Sequence, residues 1–173
     1  MNNLKILNLF LLIVVSIFSC NFNVGNDYGN SKDNIDQEAL KSEVKEVIST
    51  TLNFFQTGNI EDAKAVFSND AVLIGTDEAE YLTGWEEIEP SIIAQLAAIK
   101  DAKFDTRDLN ITISSSGDMA AYTCVIDFSF TAGGEAASIE NVRYSGVIKK
   151  IDGVWKSTQV HWSIGLAGQA VEY

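Results

Sequence analysis

Basic and metal-binding side chains are scarce in this chain. Against 24 Asp and Glu stand 12 Lys and Arg, a formal net charge of -12, and no basic run exceeds Lys149-Lys150. Such an acidic surface repels phosphate backbones, so nucleic acid is not an expected partner. The one histidine, His161, has no second histidine to complete a metal site, and no cofactor is expected. The two cysteines, Cys20 and Cys124, lie at the end of an apolar run and inside a predicted strand, and are expected to stay unpaired. No apolar run reaches the roughly 20 residues that a membrane-crossing helix needs. What remains is a globular composition, 46% hydrophobic and 21% charged with a single proline. Its 173 residues hold one ordinary domain and an appendage.

The appendage is N-terminal. Lys5 precedes a hydrophobic stretch from Ile6 to Phe18, broken only by Asn8 and Ser16, which suits the core of a signal peptide. It ends in Ile17-Phe18-Ser19-Cys20, which resembles the bacterial lipobox, in which the cysteine is acylated and the leader is cleaved before it. The resemblance implies an exported protein held in the bacterial cell envelope through lipid on Cys20, since two or three acyl chains make a stable anchor. Residues 1–19 are then a lipoprotein signal peptide. Residues 20–35, rich in Asn and Gly without a period, are a flexible tether. Loss of Lys5 with the leader would bring the net charge to -12 - 1 = -13.

Residues 36–173 carry the domain. Leu40, Val44, Val47, Ile48, Thr51, Leu52 and Phe55 share a helical stripe that Gly58-Asn59 stops. Ile60, Ala63, Val66 and Phe67 mark a second, short helix, and Ala71–Ile74 a brief strand ending at Gly75. A third helix carries Trp85, Ile88, Ile92, Leu96 and Ile99, with Pro90 tolerated only near a turn or first helical position. After Lys100 the period becomes two, with strands around Leu109–Ile113, Tyr122–Phe130, Val142–Ile148 and Val154–Trp162. Gly133-Gly134 and Asp152-Gly153 are hairpin turns. Helices followed by an antiparallel meander make an α+β domain. In the last hairpin, a two-residue loop would set Tyr144 opposite His161 and mix apolar with polar residues. A three-residue loop of Ile151, Asp152 and Gly153 pairs Lys150 with Val154, Val142 with Trp162, Tyr144 with Val160 and Arg143 with His161. It sorts both faces and is the expected register.

The run Ala71-Val72-Leu73-Ile74-Gly75-Thr76-Asp77, then Glu80, then Gly84-Trp85-Glu86-Glu87, resembles the SnoaL-like branch of the nuclear transport factor 2-like superfamily. So does the ending Asp152-Gly153-Val154-Trp155-Lys156 with His161-Trp162-Ser163. The likeness covers about residues 37–166, nearly the whole domain. It implies a cone: a curved antiparallel sheet wrapped around the N-terminal helices, enclosing a pocket. The superfamily includes isomerases, dehydratases, transport factors and kinase association domains, so it implies no single activity. Ketosteroid isomerases of the superfamily use a tyrosine, a carboxylate base and a carboxylic acid. Their positions fall on Thr51, Gly75 and near Ser145, none of which can do that proton chemistry. No catalytic residue is therefore assigned.

The position of Trp162 points into the pocket in these relatives. The resemblance and the register together imply a wall of Trp162, Val160, Tyr144 and Val142, continued by Ile126, Cys124 and Tyr122. The helical side adds Trp85, Ile88 and Ile92, with Tyr81 near the rim. Such a wall suits a small apolar or aromatic ligand. His161, Arg143 and Trp155 are expected on the outer face, in a hydrogen-bond network or a subunit contact. Asp77, Glu78, Glu80, Glu86 and Glu87 read as helix-start chemistry without calcium-loop spacing, Glu80 standing out as part of the motif. Cys124 reads as a small buried hydrophobe, and Asp127 as a solvated residue of the outer face. The primary expectation is a lipid-anchored small-molecule-binding domain without a placed acid or base. One alternative is an isomerase or dehydratase using Tyr144, Glu80 or another carboxylate. The other is an assembly module that forms a homodimer through the outer sheet face.

Overall fold

The computed structural model describes residues 36–165. Cys20, the leader and the tether lie outside these residues.

Helix α1 (Gln37–Thr57) starts at Asp36, whose side chain accepts a hydrogen bond from the Ala39 N–H at 3.0 Å. This satisfies one of the free donors of the first turn, which Glu38 also favours electrostatically. Its stop is Gly58, in the left-handed conformation at φ 69°, with its N–H on the Phe54 carbonyl. Asn59 caps α2 (Ile60–Val66) through Glu61 N–H. The chain passes directly from α2 into β1 (Phe67–Ile74), turns through Gly75–Glu80 into the short β2 (Tyr81–Thr83), and enters α3 (Trp85–Ala98) at Gly84. Pro90 lies inside α3, not at its first position. Pro90 and Glu86, whose carbonyl loses its helical donor, are both exposed, which leaves that carbonyl open to solvent.

Four long strands follow: β3 (Ile99–Ile113), β4 (Met119–Ala132), β5 (Glu135–Ile151) and β6 (Val154–Ser163). Ile99, expected on the third helix, is the first residue of β3. The sheet order is β2-β1-β6-β5-β4-β3, antiparallel throughout except for the parallel β1–β6 pair. Register shifts near Asp101 and Asp108 in β3 and at Asn141 in β5 coincide with positive φ at those residues. Bulges of this kind bend the strands that carry them. The bulge at Asn141 is clamped from the outer face. Asp127 accepts from the Asn141 N–H at 2.8 Å and from Arg107 at 3.0 Å, and Arg107 also donates to the Asn141 side chain.

The last hairpin departs from the expected three-residue loop. Ile151 pairs with Val154, so the loop is Asp152-Gly153 alone, with φ of 50° and 81°. Asp and Gly tolerate this left-handed pair, whose twist matches that of the strands. The faces are sorted instead by a bulge. Val147 pairs with Gln159 and Ile148 with Ser157, which leaves Thr158 as an extra residue. The Thr158 hydroxyl donates to the Val147 carbonyl at 3.2 Å. Beyond it Tyr144 lies opposite Trp162, Gly146 opposite Val160, Ser145 opposite His161 and Arg143 opposite Ser163. The expected pairs Val142–Trp162, Tyr144–Val160 and Arg143–His161 are therefore replaced. Trp162, Val160, Tyr144 and Val142 nevertheless share the helix side, because one extra residue in the strand restores the parity that a longer loop would have supplied.

The same bulge relocates Trp155. Before it the odd-numbered residues of β6 face the helices, so Trp155 is buried and does not belong to the outer face. Its indole N–H donates to the Glu43 carboxylate of α1 at 2.7 Å, and Lys150 joins that carboxylate at 3.2 Å. The core is one cluster between α1, α2, α3 and the concave sheet face, including Val44, Ile48, Phe54, Ile88, Ile126, Tyr144, Ile148 and Val160.

Candidate functional site

Two halves of the concave face differ. Tyr122, Cys124, Ile126 and Tyr144 were expected on a pocket wall, but they belong to the solid core together with Val44, Ile48 and Leu52 of α1. Trp85 and Ile88 also pack in the core cluster and not on the cavity. Tyr81 is 64% exposed on β2 and lies off the lining. Alternation told which face these residues share, but not how far along it the first helix closes the space.

At the other half the sheet is left open beneath the C-terminal turns of α1. A cavity of about 260 Å³ lies there. Of the residues expected to line it, Ile92, Val142, Val160 and Trp162 do so. The rest of the wall is aromatic and aliphatic: Phe54 and Phe55 from α1, Phe104 from β3, Phe128 and Phe130 from β4, with Ile139 and Leu73. Phe104 stacks on Phe128 with ring centroids 4.5 Å apart, and Trp162 lies 6.2 Å from Phe104 and 4.3 Å from Tyr144. The sequence pattern marked Phe55, Phe128 and Phe130 as apolar positions without marking them as a wall, and it did not single out Phe54 or Phe104.

One end of the cavity is polar. Gly75, Thr76, Glu80, Gln95 and Thr51 line it. The turn after β1 folds back so that the Gly75 N–H meets the Glu80 carbonyl at 2.7 Å. The Glu80 carboxylate then accepts from the Thr76 and Asp77 N–H groups at 3.0 and 3.2 Å, and from the Gln95 amide at 3.0 Å. A methyl group on Gly75 would stand 2.0 Å from Glu80 Oε2. The carboxylate therefore fills the space of a side chain at residue 75. Glu80, expected to serve the helix start, is instead the polar end of the cavity. That helix-start position is taken by Glu87, which accepts from Thr83 N–H at 2.7 Å.

Glu80 is the one titratable side chain on the lining among the described residues. Three other groups are buried away from it. Burial raises the Tyr122 and Tyr144 hydroxyls well above the ordinary tyrosine range and pushes the Cys124 thiol up to about 11. All three are therefore protonated at neutral pH, and Cys124 is no nucleophile. The Trp85 indole N–H and the Ser68 and Ser157 hydroxyls are buried without a hydrogen-bond partner, and the buried Tyr144 hydroxyl lies beside those of Tyr122 and Thr51 without the geometry of a hydrogen bond. Arg143 is exposed and His161 half-buried on the outer face, where β5 and β6 alternate away from the helices. Among the described residues no three His, Cys, Asp or Glu side chains gather as a metal site. Nor is any described helix long and apolar enough to cross a membrane.

Comparison with known families agrees with this architecture. The SnoaL-like domain profile matches residues 44–167, which is most of the chain. The protein belongs to the SnoaL-like domain family. Solved structures similar to this SnoaL-like domain share its fold at low identity. A nuclear transport factor 2-like superfamily protein from Salmonella enterica serovar Typhimurium is 19% identical, with a TM-score of 0.68 over 79% of this chain and 99% of that one. A candidate scytalone dehydratase from Novosphingobium aromaticivorans is 14% identical, with a TM-score of 0.65 over 72% and 83%. A candidate ketosteroid isomerase from Shewanella frigidimarina is 21% identical, with a TM-score of 0.59 over 72% and 97%. No curated protein matches this SnoaL-like chain in sequence.

Proposed function

We propose that the domain binds a small, largely apolar or aromatic molecule in the cavity between α1, α3 and the open half of the sheet. The observation that carries this reading is the cavity itself: about 260 Å³, walled by phenylalanines, Trp162 and aliphatic side chains, with polar groups gathered at one end. An apolar cavity of roughly 150 Å³ accepts benzene, so this one has room for more than a single ring. Walls of this kind with a few converging polar groups are the usual build of a ligand site.

Titration of the protein with a fluorescent naphthalene probe tests the reading. Saturable binding at one probe per chain is expected, with quenching of tryptophan emission. Ile139→Trp, which adds bulk at the half-buried rim, is expected to weaken binding at least tenfold. Equal binding by this variant would place the probe elsewhere and overturn the assignment.

A second reading, an isomerase or dehydratase, is favoured by one observation: the cavity holds a carboxylate, Glu80. Against it, Glu80 is already engaged by the Thr76 and Asp77 N–H groups and the Gln95 amide, and no second titratable group stands on the described lining to stabilise charge developing on a substrate. Non-catalytic binding is the better supported of the two.

Envelope anchoring is also part of the proposal. It is supported by the apolar leader and the Ile17-Phe18-Ser19-Cys20 sequence. Incorporation of labelled palmitate into the protein, lost in Cys20→Ala, is the expected outcome. Labelling that survives this substitution would refute it.

A further inference from the structure

We infer that the cavity selects ligands carrying a hydrogen-bond donor, a hydroxyl or better an ammonium group, at one end of an apolar body, and rejects carboxylates. This rests on the binding reading above and deepens it. The argument is a count of hydrogens and lone pairs at the polar end.

An ionised carboxylate offers about four lone-pair sites and no hydrogen. At Glu80 three are occupied, two on Oε2 by the Thr76 and Asp77 N–H groups and one on Oε1 by Gln95. One site on Oε1 is left. The orientation of the Gln95 amide follows, because only its nitrogen can face a carboxylate. That nitrogen has two hydrogens, given to Glu80 at 3.0 Å and to the Ser91 hydroxyl at 3.3 Å. Gln95 therefore has no donor left, while its carbonyl oxygen accepts from no described side chain. Thr51 adds the same bias. Its hydroxyl hydrogen is committed to the Val47 carbonyl at 2.8 Å, so on the lining this oxygen can only accept.

Thr51, which is buried, and Glu80 and Gln95, which are half-buried, thus present acceptors at this end. A ligand carboxylate here would meet the Glu80 charge and find no cationic group in compensation, a like-charge contact in a partly dehydrated space. The Thr76 hydroxyl is exposed at the rim, and the Trp162 indole belongs to the aromatic wall with Phe104. Neither neutral donor balances a full negative charge. An ammonium or hydroxyl group, by contrast, would complete the open lone pairs of Glu80 and Gln95 with charge-assisted bonds. The net charge of -12 pulls the same way at longer range.

The carboxylate is also held against rearrangement. Three donors fix it, and it fills the volume beside Gly75, where an added methyl group would lie 2.0 Å away. Its placement depends on residue 75 having no side chain.

The test uses four probes of one apolar body: 2-naphthylmethylammonium, 2-naphthol, 2-naphthoate and 2-methylnaphthalene. They are titrated against the full chain held in lipid nanodiscs, with empty nanodiscs as the blank. The ammonium is expected to bind at least tenfold tighter than the carboxylate, with the alcohol between them. In Glu80→Gln the ammonium-to-carboxylate ratio is expected to fall at least tenfold, and circular dichroism of the variant checks that it is folded. The wild-type ranking decides even if that variant is unfolded. Equal binding of ammonium and carboxylate overturns the inference, as does a ratio unchanged in folded Glu80→Gln. Binding of 2-methylnaphthalene alone overturns it while leaving the apolar cavity as a site. If none of the four binds, the binding reading itself fails.

Discussion

At the scale of single residues the molecule places its titratable groups by burial. Tyr144 is fully buried, and its hydroxyl lies beside those of Tyr122 and Thr51 without the geometry of a hydrogen bond to either. An unpaired buried hydroxyl costs about 1–3 kcal/mol of desolvation. Tyr144→Phe is therefore expected to be neutral or stabilising by up to about that amount, read as a higher urea midpoint at unchanged slope. A loss of stability would reveal a partner for the hydroxyl. Sequence alone singled out Tyr144 as a wall residue because its strand alternates, yet the tyrosine is core. Alternation reports a face, and two side chains on one face can meet a helix or a void. Glu80 shows the reverse. Its membership of a recognisable motif was legible, but its role depends on a turn that folds the side chain back over Gly75, and no periodicity encodes that.

At the scale of elements, the apolar stripe and the Gly58 stop made α1 legible, while the Asp36 cap at its start is seen in the structure. The Thr158 bulge was illegible because a threonine in an alternating strand carries no local mark. Its importance is testable by length rather than by chemistry. Deleting Thr158 with the Asp152-Gly153 turn intact removes the extra residue and leaves Ser157 and Gln159 adjacent, opposite the adjacent Ile148 and Val147, so that Trp162 stays on the helix side. Cooperative unfolding is expected to survive, seen in tryptophan emission and circular dichroism. Thr158→Ala keeps the residue count and loses only one hydrogen bond, so a cost of about 0.5–1.5 kcal/mol is expected. Loss of cooperative unfolding in the deletion would overturn the placement of Thr158 as the extra residue.

At the scale of the whole molecule, acid should be the condition that loosens it. Glu43 is held below the usual carboxylate range by the Trp155 indole N–H and then by Lys150. Asp127 is held low by the Asn141 N–H and then Arg107, and Asp118 by the Ser116 and Ser114 hydroxyls. A depressed folded-state value contributes stability above the unfolded-state value, and the contribution is lost as pH falls through the folded one. The thermal midpoint is thus expected to decline below about pH 5, where unfolded carboxylates begin to take up protons. Glu43→Gln should make that decline shallower, because one titrating group is gone. A decline of the same steepness in the variant would remove Glu43 from the account.

The strand order β2-β1-β6-β5-β4-β3 also has a temporal side. The strand made last, β6, is wedged between the strand made first and the rest of the sheet. During synthesis the early β1–β2 hairpin has no neighbour to dock against, and the β3–β5 ribbon keeps one unprotected border. A nascent chain stalled before residue 154 would therefore present two half-sheets with raw edges to any chaperone or protease nearby. Only the final ten-residue strand, Val154–Ser163, welds them.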